Sequence, residues 1–98
     1  MLVHVFSYEA RDPEQFERVY GPAGEWAEFF RRGSGYVGTE LLRDAEIPSR
    51  YLVIDRWDSS DAYNTFVAEH RDEYMRRVDE TAFHYERELR LGTFENVW

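Results

Sequence analysis

Between Leu2 and Tyr8 almost every position is apolar or aromatic, and the residues alternate: Leu2, Phe6 and Tyr8 fall on one side of an extended chain, Val3 and Val5 on the other. That period of two predicts a strand with two greasy faces. At Asp12 the period changes. Asp12 suits a helix N-cap, Pro13 the first helical position and Gln15 the third, and Phe16, Val19 and Tyr20 make the apolar stripe. Gly21-Pro22-Ala23-Gly24 should kink or interrupt this helix, which resumes through Trp26, Phe29 and Phe30 and stops at Gly33-Ser34-Gly35. Tyr36 to Arg43 predicts a second strand, Asp44 to Pro48 a polar turn, and Arg50 to Trp57 a third strand. In that third strand Tyr51, Val53 and Trp57 oppose Leu52 and Ile54. Asp58 or Ser59 caps a second helix with the stripe Tyr63, Phe66, Val67, His70, Tyr74 and Val78, with a break expected near His70. A last strand runs from Tyr85 to Phe94.

The order β-α-β-β-α-β predicts an α+β, ferredoxin-like domain: an antiparallel sheet with both helices on one face. Strands one and three are nevertheless apolar on both faces, and the chain has helix enough to cover only one. The uncovered face predicts a homodimer formed through the sheet, since twofold dimers are the commonest soluble assembly.

Composition narrows the picture. A chain of 98 residues encloses one hydrophobic core, so one domain over residues 1–98 is expected. With 43% hydrophobic and 33% charged residues and no long apolar run, the chain reads as a globular domain without a membrane span, and the cytoplasm is its default location. The first residues alternate like a strand and do not resemble a leader. There is no cysteine, hence no disulfide, thiolate nucleophile or Cys-ligated metal. The formal charge is -8 and the 12 cationic residues are all arginine, scattered singly or in pairs; nucleic acid is not an expected partner, and Schiff-base chemistry lacks its lysine. No metal site is expected, because the histidines show no ligand spacing. Asp72-Glu73 and Asp79-Glu80 are adjacent, so their members diverge by about 100° around a helix.

Three stretches carry a family resemblance: Gly35-Tyr36-x-Gly38-x-x-Leu41-Leu42, the strand Tyr51 to Trp57, and Trp57-x-Ser59-x-x-Ala62-Tyr63. They resemble the antibiotic biosynthesis monooxygenase-like domains of the dimeric α+β barrel superfamily, over nearly the whole chain. The resemblance implies a cofactor-independent monooxygenase acting on a small phenolic substrate of quinol or anthrone type, oxidised by dioxygen without flavin, heme or metal. The heme-degrading branch of the superfamily fits less well, because Ser7, Phe66 and Arg76 stand where it carries asparagine, tryptophan and the axial histidine. A noncatalytic dimeric module that binds a small apolar ligand, or is purely structural, is the alternative.

His70 and Tyr74 are the candidate catalytic pair: they stand four residues apart on the aromatic stripe, where an imidazole could accept a phenolic proton. Trp57, Tyr63, Phe66 and Trp26 are candidates to hold the substrate ring. For His70 the competing expectation is a histidine satisfied by a backbone carbonyl or Glu73; for Trp26 and Phe66 it is ordinary core packing, worth about 1.5 to 3 kcal/mol each. His4, mid-strand, is expected to be hydrogen-bonded within the barrel.

Overall fold

The computed structural model describes residues 1–97. Strand β1 (Leu2–Ala10) leads into helix α1 (Pro13–Tyr20) and helix α2 (Glu25–Phe30). Strands β2 (Tyr36–Arg43) and β3 (Arg50–Trp57) follow, then helices α3 (Ser60–Glu69) and α4 (Arg71–Thr81) and, after a short turn at Ala82–His84, strand β4 (Tyr85–Glu95). The strands form one antiparallel sheet in the order β2-β3-β1-β4. This is the expected ferredoxin-like α+β arrangement.

Local chemistry explains the boundaries. Asp12 Oδ1 accepts from the Glu14 and Gln15 amides at 3.1 and 3.3 Å, and Pro13 sits in the first turn of α1, where no amide donor is needed. The Gly-Pro-Ala-Gly segment ends α1 outright, and α2 starts afresh at Glu25. Ser59 caps α3 by accepting from the Ala62 amide at 3.1 Å. Gly35 lets β2 begin beside that helix, because a Cβ on it would collide with the Ala62 Cβ.

Both pairs of helices cover one face of the sheet, over Leu2, Tyr8 and Ala10 of β1 and Tyr51, Val53 and Trp57 of β3, all buried. Under α1, Phe16 stacks on Tyr20 and Tyr51 with ring centroids 4.5 and 4.9 Å apart. Under α2 and α3, Phe29, Phe30, Trp57 and Phe66 close a second cluster with Leu2. Register places the remaining apolar residues on the other face: Val3 and Val5 beside Phe94 and Gly92 on one flank and Arg56 and Ile54 on the other, with Leu42 opposite Leu52. No element among the described residues covers that face, and Leu42, Leu89 and Phe94 are exposed. Among the described residues no helix is long and apolar enough to cross a membrane.

Candidate functional site

Between the two aromatic clusters the helices stand away from the sheet and leave a chamber of about 310 Å³, at the small end of ligand-site volumes. Aromatic and aliphatic side chains make most of its wall, among them Phe6, Tyr20, Trp26, Phe30 and Val53. Tyr63 of α3 and Tyr74, Met75 and Val78 of α4 close it from above.

A line of polar residues crosses the sheet here, one from each strand, and three of them, Thr39, Asp55 and His4, line the chamber. Thr39 of β2 pairs with Asp55 of β3, Asp55 with His4 of β1, and His4 with Thr93 of β4. Directly opposed residues on neighbouring strands share a face, so the four form a transverse row. Thr39 Oγ1 donates to Asp55 Oδ1 at 2.5 Å, which leaves its lone pairs to accept from the Tyr36 hydroxyl at 2.5 Å. His4 Nδ1 lies 3.0 Å from Thr93 Oγ1, and Arg90 donates to the same oxygen at 2.6 Å. His4 Nε2 is buried with no hydrogen-bond partner among the described residues. A polar atom in that condition costs stability unless something else meets it. The Tyr63 ring packs on the imidazole, 4.4 Å between centroids.

Burial sets the protonation states. It pushes the Asp55 carboxyl up to about 6, against the opposing effect of the Thr39 hydrogen bond. It holds His4 below the usual histidine range, helped by the Arg90 charge, so the imidazole is neutral at pH 7. Tyr63 is raised by burial and by the Tyr74 phenol beside it, and stays a hydrogen-bond donor. At the far end of the chamber Tyr8 donates to Glu88 at 2.6 Å, and burial and that carboxylate raise its pKa as well.

Of the residues singled out from the sequence, Tyr63, Tyr74 and Trp26 meet at the chamber. Trp26 stands edge-on to Tyr74 at 5.6 Å, and its Nε1 donates to Thr81 Oγ1 at 3.3 Å. His70, Trp57 and Phe66 do not join them. His70 closes α3 with φ -118° and ψ 29°, so α4 sets off in a new direction. The four-residue spacing from His70 to Tyr74 therefore does not put them on one face. The His70 Nδ1 donates to the Phe66 carbonyl at 3.0 Å, its ring stacks on Phe66 at 4.3 Å, and it borders an outer groove with Arg32, Asp61 and Glu69. Trp57 has no exposed surface and is ringed by Phe30, Tyr36, Tyr63 and Phe66; Phe66 is consumed by the same cluster. Asp55, Thr39, Thr93 and Glu88 were not anticipated. Asp55 had a signal, since it interrupts the inward series Tyr51, Val53, Trp57.

The family model described as antibiotic biosynthesis monooxygenase matches residues 1–77. Among solved structures, SnoaB, a cofactor-independent oxygenase from Streptomyces nogalater, is similar in a point-mutant form with a TM-score of 0.82 and 22% identity, over 99% of this chain and 93% of that one. A Deinococcus radiodurans protein whose name carries the same monooxygenase assignment gives 0.69 at 14% identity, over 98% and 92%. A similarly named Nitrosomonas europaea protein gives 0.66 at 13%, over the whole of both chains. At these identities the likeness establishes the fold. Among curated proteins nothing matches.

Proposed function

We propose a function from one premise: the chain belongs to the antibiotic biosynthesis monooxygenase family. Membership and an oxygenase-like fold support a monooxygenase-like activity, and the chamber supports a finer reading. Its substrate is a small phenolic ring system of quinol or anthrone type, oxidised by dioxygen with no cofactor. The observation that carries this is His4 Nε2, a buried, partnerless nitrogen in a mostly apolar cavity.

With its Nδ1–H donating to Thr93, the neutral imidazole offers the Nε2 lone pair as a base. For an anthrone, Nε2 takes a proton from the methylene carbon, and the resulting anion passes one electron to dioxygen. Superoxide and the substrate radical combine into a carbon-bound peroxide, which takes the proton back from His4. Loss of the second methylene proton to Nε2 forms the carbonyl as the O–O bond breaks, and hydroxide leaves as water with that proton. The sum is one methylene and one dioxygen giving one carbonyl and one water. Tyr63 and Tyr74 donate hydrogen bonds to the substrate oxygen that gathers charge, and Trp26 packs on the ring. The apolar wall excludes water that would protonate the anion.

Oxygen uptake with a panel of anthrones and hydroquinones tests this. Wild type is expected to consume one dioxygen per quinone formed from an anthrone, His4→Gln to fall by about a hundredfold or more, and His70→Ala to keep most of the rate. Absence of uptake with every compound would favour the noncatalytic ligand-binding alternative. A loss confined to His70→Ala would move the base out of the chamber.

The same reading includes a homodimer. The apolar, uncovered sheet face with Leu42, Leu89 and Phe94 exposed supports a second copy as its cover. Sedimentation at micromolar concentration should give twice the chain mass, and a monomer would remove the dimer from the proposal.

A further inference from the structure

The chamber is polar at two ends, and only one of them is used by the chemistry proposed above. The near end is the His4–Asp55–Thr39 row beneath Tyr63 and Tyr74. The far end lies four residues along β1, a step of about 13 Å for an extended strand, where Tyr8, Tyr85 and Glu88 meet. Tyr8 donates its hydroxyl to Glu88 Oε2. The Tyr85 phenol also stands against this carboxylate, and burial and that carboxylate together raise its pKa. Glu88 itself is exposed at the rim of the chamber, where its remaining lone pairs can accept from a ligand. Between the two ends the wall is Phe6, Tyr20, Trp26 and Val53, flat or branched apolar surface suited to a planar body.

The charges at the two ends have the same sign. Asp55 and Glu88 are the acidic residues of the lining, and among the described residues no arginine lines it. The arginine associated with this face is Arg90, which donates to Thr93 Oγ1 and whose charge acts on His4 and Tyr63 at the near end. A carboxylate bound at the far end would face Glu88 directly, with the Arg90 charge turned to the near end, and juxtaposed like charges are disfavoured. A hydroxyl at the same place would complete the carboxylate's hydrogen bonding.

We infer that the chamber selects a neutral, elongated polyphenol with a hydroxyl at each end of its long axis, and that Glu88 is the residue that accepts the far hydroxyl and rejects carboxylated analogues. This rests on the chamber being the substrate site. It also places the chain after whatever step removes any terminal carboxylate from the ring system, because the acid form would be excluded.

Binding of two unreactive quinones tests it, followed by quenching of tryptophan fluorescence: a linear dihydroxyanthraquinone with a hydroxyl at each end, and the matching compound with a carboxylate in place of one hydroxyl. Wild type is expected to bind the diol at least about tenfold more tightly. Glu88→Gln keeps a hydrogen-bonding group without the charge and should erase most of that preference, while Glu14→Gln on the outer surface of α1 should leave it intact. Equal or tighter binding of the acid by wild type, or an unchanged preference in Glu88→Gln, would overturn the assignment. Because both probes are already oxidised, the outcome is independent of turnover. Selectivity without oxygen uptake would refute the oxygenase reading and leave this one standing, and uptake without selectivity would do the reverse.

Discussion

Helices α1 and α4 lie over the same face of the same sheet and do opposite things there. In α1, Phe16, Val19 and Tyr20 are buried and interlock with Tyr8, Tyr51 and Val53, so the space beneath is filled up to the side where Tyr20 borders the chamber. In α4 the one buried residue is Thr81, while Tyr74 and Val78 are half-buried over a void and Met75 is half exposed. What holds α4 down is mostly polar. Glu73 accepts from Arg32, just past the end of α2, at 2.7 Å and from Arg77 within its own helix at 2.9 Å, and both guanidinium groups lie over the Phe29 ring, at 5.4 and 4.8 Å. Thr81 is tied to Trp26 and to the Arg77 carbonyl. The difference teaches how so small a domain keeps a cavity: one helix carries the core, and the other is suspended as a roof by charge and hydrogen bonds.

The contrast can be broken most directly at its solid end. Phe16→Ala should cost about 3–5 kcal/mol in urea denaturation, the usual penalty for an aromatic deleted from a close-packed core. If that cost were small, α1 would not be the helix that carries the fold.

The hollow end is sharpened by Asp55. Its folded carboxyl, at about 6, lies above the ordinary unfolded value, so the proton binds the folded state more tightly. The stability this contributes is complete below about pH 4 and is lost as the pH rises through about 6. Asp55→Asn removes the ionisation and still accepts from Thr39. Relative to wild type it should therefore gain about 1–3 kcal/mol between pH 4 and pH 8, seen in denaturation midpoints at the two pH values. A pH-independent difference would place the carboxylate in water. The smallest effect belongs to the roof: Val78→Ala, over the void, should cost under about 1 kcal/mol, and a cost matching that of Phe16→Ala would mean that α4 is packed and not suspended.

Much of the fold was legible in the residues. Periods of two and of three to four, the caps at Asp12 and Ser59, and the Gly-Pro interruption marked every element, and the two-faced greasiness of β1 and β3 marked a sheet with one face uncovered. Half of the candidate site was legible too, since Tyr63, Tyr74 and Trp26 do meet. His70 was misplaced because a helical face was extended through it, and one residue of non-helical backbone is enough to redirect everything after it. Asp55 could have been found, because a carboxylate in an inward series of aromatic and branched residues must have a reason to be there.

What the sequence determined alone was the set of elements and the side of each strand on which a residue falls, because both follow from local dihedral preferences and the alternation of the pleat. What tertiary structure alone decided was the register that aligns Thr39, Asp55, His4 and Thr93 across four strands, and the height at which α4 passes over them. Those depend on contacts between residues as much as 89 positions apart in the chain, set by the packing of all the aromatic side chains at once, and no local pattern encodes their sum.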